Sequence, residues 1–169
     1  RELKKLGKKT VLWGCSIGEN DLSEDKIKDL KTFDLIVTRE TLTFETLKNH
    51  GIDKNTVLYP DPAFTLDIDE KTGKEIEVKP NTLGFNISSL VGKYSAKGAS
   101  IDDISTEFLR YILDNSDKNI LLIPHVTKEN DGDQLILSRI AEQLGSDRVS
   151  VVSSTLTAAQ YKSIISRCD

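Results

Sequence analysis

The sequence predicts an α/β fold built from two parallel sheets. Three observations carry that prediction. Short apolar runs alternate with segments of helical spacing, and the connections between them are short. The alternation stops at a dense charged run, residues 67–80, and then begins again.

The first series runs strand, helix, strand, helix, strand. "TVLWGCSIG" (10–18) is apolar and ends in a glycine turn, which predicts a buried strand. "SEDKIKDLK" (23–31) offers Ser23 as an N-cap and places Ile27 and Leu30 three apart, which predicts a short helix. "DLIVTRE" (34–40) reads as a second strand. "LTFETLKNHG" (42–51) reads as a helix with Phe44 and Leu47 inward, and Gly51 stands where a left-handed residue ends it. "NTVLYPD" (55–61) reads as a third strand.

"DIDEKTGKEIEVKP" (67–80) is rich in charge and closes on proline. A surface loop would satisfy this composition. We read it as an interdomain linker, because a new series starts at once. "TLGFNISSL" (82–90), "NILLIPH" (119–125) and "RVSVVSS" (148–154) read as strands. Residues 102–114 read as a helix with Ile104, Phe108, Ile112 and Leu113 on one face. Residues 132–145 read as a helix with Leu135, Ile136, Ile140 and Leu144 inward and Gly145 past its end. The last helix, 157–167, starts with Thr157 and Gln160 at capping-box spacing. The expected organisation is therefore two Rossmann-like domains: residues 1–68, a linker at 69–80, and residues 81–169.

Composition narrows the function. The chain has 169 residues, 37% apolar and 30% charged, with a net charge of −4. No basic stripe suggests a nucleic-acid partner. No apolar run approaches the roughly 20 residues that span a bilayer, and no secretory signal pattern is present. Cys15 and Cys168, near opposite ends, read as reduced core residues of a cytosolic protein. Methionine is absent, and the last helix leads toward a strand just where "ISRCD" closes the sequence. We expect a piece of a longer chain, with both domains incomplete. An uncovered sheet edge would then favour dimerisation or lower stability.

In open parallel sheets, ligands bind beyond the carboxyl ends of the strands. Those ends carry Ser16 and Gly18, then Arg39 and Glu40, Asp61, Asn86 with Ser88 and Ser89, His125 with "KENDGD", and finally Ser153, Ser154 and Thr155. Arg39 closes an apolar strand, where a charge needs a partner. A guanidinium there suits a carboxylate or phosphate ligand, or a plain ion pair. Asp61, between two prolines, fits a rigid turn. His125 fits either a hydrogen-bonded structural histidine or a site residue. In "ENDGD", Asp131 or Asp133 can complement the dipole of the following helix. Dinucleotide, P-loop and nucleophile-elbow patterns are absent, and so is zinc or EF-hand spacing. No metal is expected.

In order, "WGCSIGE", "FDLIVTRETLTFETLKNHGI", "VLYPDPAFTL", "FNISSLV", "IPHVTKENDGD" and "ISRCD" resemble the polysaccharide pyruvyl transferase family, over about residues 10 to 169. The resemblance implies a GT-B-type fold, with two Rossmann-like domains facing a central cleft. It implies transfer of the pyruvyl group of phosphoenolpyruvate to a sugar diol of a cell-surface polysaccharide precursor. The product is a ketal and phosphate leaves. Phosphoenolpyruvate is the donor substrate, and no cofactor is implied. The acceptor would be a saccharide or lipid-linked glycan, met in the cytoplasm or at the inner face of the membrane.

Carried over to this chain, the resemblance makes Arg39 the candidate for the donor carboxylate or phosphate. Asp61, Asn86 and His125 become substrate-binding candidates. The family's Arg-x-His motif would follow "SRCD", so the general acid is expected beyond residue 169. His125 stands as a catalytic candidate within the chain, and the chain alone is expected to be inactive. Two other readings remain from the residues: a GT-B glycosyltransferase using a nucleotide sugar, and a non-catalytic binding module.

Overall fold

The computed structural model describes residues 2–71, 73–88, 91, 100–126, 132–152 and 156–169. Ser89, Thr127 to Asp131 and Ser153 to Thr155 lie outside these residues, and with them most of "KENDGD". The chain divides into two compact units, Arg1–Leu66 and Asp67–Asp169. Each contains a three-stranded, all-parallel sheet flanked by helices.

The first unit contains helix α1 (Glu2–Lys5), strand β1 (Val11–Cys15), α2 (Glu24–Leu30), β2 (Leu35–Thr38), α3 (Thr41–Asn49) and β3 (Thr56–Leu58). The strands lie in the order β1-β2-β3. Ser23 caps α2 through Lys26 N–H, as its position predicts. Helix α3 ends as its sequence predicts: Gly51 has φ of 68°. The N–H groups of Gly51 and Ile52 return to the carbonyls of Lys48 and Leu47, both at 2.9 Å. The helices bury Leu30, Ile36, Leu47 and Ile52, with Leu12 and Ile27 packed against them. Strand β1 is not the buried strand its composition predicts, because Val11 and Trp13 are exposed on alternate positions.

The second unit contains β4 (Thr82–Phe85), α4 (Ile101–Asn115), β5 (Asn119–Leu122), α5 (Asp133–Leu144), β6 (Val149–Val151) and α6 (Ala158–Ile165), with strand order β4-β5-β6. Its sheet is buried on both faces. Ile120 and Leu122 point into a core with Leu109, Leu113, Leu137 and Ile140 from α4 and α5. Leu121 and Ile123 point the other way, into a core with Val152 and Ile164. Residues 67–80 take part in that second core through Ile76 and Val78. Arg167 donates to the Ile76 carbonyl at 3.0 Å.

Two helix faces differ from expectation. In α4 the buried positions are Ser105, Thr106, Leu109 and Leu113, whereas Ile104 and Phe108 are half exposed. Small residues at 105 and 106 let α4 sit close to α5, and Thr106 donates to Gln143 at 2.6 Å. In α5, Leu137 is 0% exposed and Leu135 is 63% exposed. Every predicted strand is also longer than the observed one: among the described residues, Ser16, Arg39, Tyr59, Asn86, Ile123 and Val152 already stand past the last strand residue.

Candidate functional site

In the first unit the loops leaving β1, β2 and β3 bring Ser16, Arg39 and Asp61 together. Arg39 donates through Nε to Ser16 Oγ at 2.9 Å and through Nη1 to Asp61 Oδ2 at 3.0 Å. A guanidinium carries about five N–H donors, so these two bonds leave the Nη2 edge without a partner among the described residues. The Arg39 side chain is about half exposed. Asp61 also serves the turn that its sequence context predicts. Its Oδ1 accepts from Ala63 N–H at 2.9 Å and caps the 3-10 turn Pro62–Thr65. The Ala63 N–H first, and then Arg39, hold the Asp61 carboxyl below the ordinary aspartate range.

Backbone geometry positions this cluster. The β1-β2 register slips between Trp13 and Cys15, so Gly14 is the extra residue of a bulge, with φ of 63°. The bulge re-aims the chain toward Ser16. A Cβ at Gly14 would lie 3.3 Å from Pro62 Cδ, so the glycine also admits the proline that follows Asp61. Glu40 turns away from Arg39 and caps α3, accepting from Thr43 N–H at 3.0 Å. Thr43 Oγ1 in turn accepts from Ile17 N–H at 2.8 Å, tying the loop after β1 to α3.

In the second unit Asn86 and His125 follow β4 and β5. Both line an open concavity of about 280 Å³, together with Gly84, Phe85, Ile123 and Cys168. Asn86 Nδ2 donates to the Ile123 carbonyl at 2.7 Å. His125 is exposed, and its ring centroid lies 5.3 Å from that of Tyr161 on α6. Asp133 does not simply cap its own helix. Its Oδ2 accepts from His125 N–H at 3.1 Å and from Val126 N–H at 3.0 Å. Burial pushes the Asp133 carboxyl up. The Val126 and His125 N–H groups, with Asn86 and Ser88, outweigh burial and hold it below the ordinary range.

The structure therefore pairs Arg39 with Asp61 in one unit and Asn86 with His125 in the other. Sequence placed Ser16 at a strand end without a role and read Asp133 as a helix-dipole partner, and it did not single out Tyr161. Ser16 is one of many loop serines. Tyr161 is hidden by the apolar company of Ile164 on the same helix, and both belong to one core with Cys168. Among the described residues, no group of His, Cys, Asp and Glu forms a metal-binding cluster. None of their helices is long and apolar enough to cross a membrane.

The model of the polysaccharide pyruvyl transferase family matches residues 1–169. The chain belongs to that family. Membership implies a transferase with a phosphoenolpyruvate donor and a polysaccharide acceptor. Comparison with curated proteins and with solved structures finds no significant match.

Proposed function

We propose that this chain takes part in moving the pyruvyl group of phosphoenolpyruvate onto two hydroxyls of a sugar, with Arg39 as a donor-anion contact. The observation that carries the reading is the Arg39 guanidinium. It stands at the carboxyl end of a parallel strand, oriented by Ser16 and Asp61, with its side chain half exposed and Nη2 without a partner among the described residues. Two anchoring bonds pre-orient the donors, which lowers the ordering cost of capturing a carboxylate or phosphate.

The reaction needs a proton at the methylene carbon of phosphoenolpyruvate, producing an oxocarbenium-like centre at C2. One sugar hydroxyl adds there and loses its proton. The C2–O bond to phosphate breaks, and the second hydroxyl adds and loses its proton to close the ketal. Cationic donors stabilise the carboxylate and the departing phosphate. Arg39 supplies part of that charge. His125 and Asn86 are assigned to substrate contact, with His125 also a candidate for proton transfer. Phosphoenolpyruvate is donor substrate here and no cofactor is invoked. The two parallel-sheet units are taken as Rossmann-like halves of a GT-B-type protein. The acceptor is a cytoplasmic or membrane-associated glycan precursor.

Calorimetric titration of phosphoenolpyruvate into the wild-type chain and Arg39→Ala tests the reading. Losing a hydrogen bond to a charged group costs about 1.5–3 kcal/mol, roughly a 10- to 150-fold weaker Kd. Equal affinity in the two proteins would remove Arg39 from the donor site.

A further inference from the structure

Asp133 is the one charged residue in the buried class among the described residues, at 1% exposure. A carboxylate out of water is costly unless its hydrogen bonds repay it. Helix α5 does not require this one, because an exposed Asp, Asn or Ser would serve its first turn equally well. The bonds that Asp133 makes run elsewhere. Its Oδ2 receives the N–H groups of His125 and Val126, and Asn86 Nδ2 approaches the same oxygen at 3.4 Å. The Asp133 N–H donates to the Val126 carbonyl at 2.8 Å, closing the clamp from the other side. One carboxylate thus joins the ends of β4 and β5 to the start of α5, through the backbone of His125 and Val126 and the side chain of Asn86.

Two further observations point the same way. Asp133 Oδ1 and the Tyr161 hydroxyl are both buried without a hydrogen-bond partner among the described residues. Such atoms are an expense, and native structures carry few of them. Tyr161 packs its ring on the His125 imidazole at an interplanar angle of 40°. Backbone clamp and ring contact therefore converge on the same histidine.

We propose that Asp133 is a positioning residue of this site, setting the turn that presents His125 and Asn86, while Tyr161 sets the plane of the imidazole. The proposal rests on the reading that His125 and Asn86 serve the reaction. Its geometric part can be tested without that reading.

The chain has two histidines, so in a His50→Gln background His125 is the only imidazole. Isotope-labelled histidine NMR then reads His125 alone. Asp133→Ala is expected to shift and broaden its ring signals. Asp133→Asn, whose carboxamide oxygen can accept the same two N–H groups, is expected to leave them near wild type. Unmoved signals in a folded Asp133→Ala protein would overturn the proposal. Should that variant not fold, hydrogen exchange in the wild type decides. The His125 and Val126 amides must exchange at least about tenfold more slowly than unprotected amides, and fast exchange overturns the clamp.

Acceptor-dependent phosphate release by a longer protein that contains this sequence supplies the functional arm. Asp133→Ala is expected to lower kcat on the order of 10- to 100-fold, with Asp133→Asn restoring most of it. In a His125→Ala background, Asp133→Ala should slow the reaction by clearly less than it does in the wild type, because the part of its effect that runs through His125 is already lost. Additive losses would mean a general structural role and would overturn the proposal. Full activity in His125→Ala would instead sink the functional reading of His125, leaving the NMR and exchange results to judge the clamp.

Discussion

Gly14→Ala links the backbone of the first unit to its candidate site. Gly14 has φ of 63°, a left-handed conformation that costs an L-residue about 1–2 kcal/mol. The new Cβ would also stand 3.3 Å from Pro62 Cδ, close enough that the proline ring must give by a few tenths of an ångström. The stiffening of the unfolded chain by alanine does not offset this, because that benefit requires a compatible native φ. The expected loss is about 1–2 kcal/mol, or roughly 4–8 °C in Tm per kcal/mol for a unit of this size. Trp13, the single tryptophan of the chain, adjoins the substitution and reports on this unit. Thermal and urea unfolding followed by Trp13 fluorescence, with circular dichroism as a second probe, measure the effect. Because Pro62 follows Asp61, phosphoenolpyruvate affinity should fall as well. An unchanged or higher midpoint would refute the bulge geometry.

Leu137→Ala should destabilise the second unit by about 2–5 kcal/mol, while Leu135→Gln should stay within about 0.5 kcal/mol. Urea midpoints of the two variants check which face of α5 is buried. Ser16→Ala removes the acceptor of Arg39 Nε and should weaken phosphoenolpyruvate binding by about 0.5–1.5 kcal/mol, which titration calorimetry can resolve. Asp34 accepts from Lys4 Nζ at 2.6 Å and from Thr10 N–H at 2.7 Å. The Lys4 contact first, then the Thr10 N–H, depresses its carboxyl well below the ordinary value of about 3.8. A depressed folded-state value means that the Asp34 contribution is present above that ordinary value and is lost as pH falls further. Asp34→Asn should therefore flatten the decline of stability below about pH 4, measured as urea midpoints across that range.

The β-α alternation was legible because apolar runs and helical spacing are local signals. The Ser23 cap, the Thr157–Gln160 capping box and the Gly51 and Gly145 helix ends were legible for the same reason. Which stripe of α4 faces inward was not. Ile104 and Phe108 outrank Ser105 and Thr106 in apolarity, yet close approach to α5 favours the small residues. Strand ends were overrun because the apolar character of "LLIP" continues past the last ladder residue, Leu122. The strand-end positions of Arg39, Asp61, Asn86 and His125 were legible, and the family resemblance made them candidates. Their partners could not be, since the Arg39–Asp61 pair and the Asp133 clamp join residues that only the folded sheets bring together.

The central claim is pyruvyl transfer with Arg39 at the donor anion. The most direct measurement is phosphate release from phosphoenolpyruvate by a longer protein that contains this sequence. The assay uses a panel of free and lipid-linked glycans bearing adjacent diols, beside Arg39→Ala. Acceptor-dependent release in the parent sequence that is lost in the variant is the predicted result. Release that is unchanged in Arg39→Ala, or no release with any acceptor while a nucleotide sugar binds, would contradict the account.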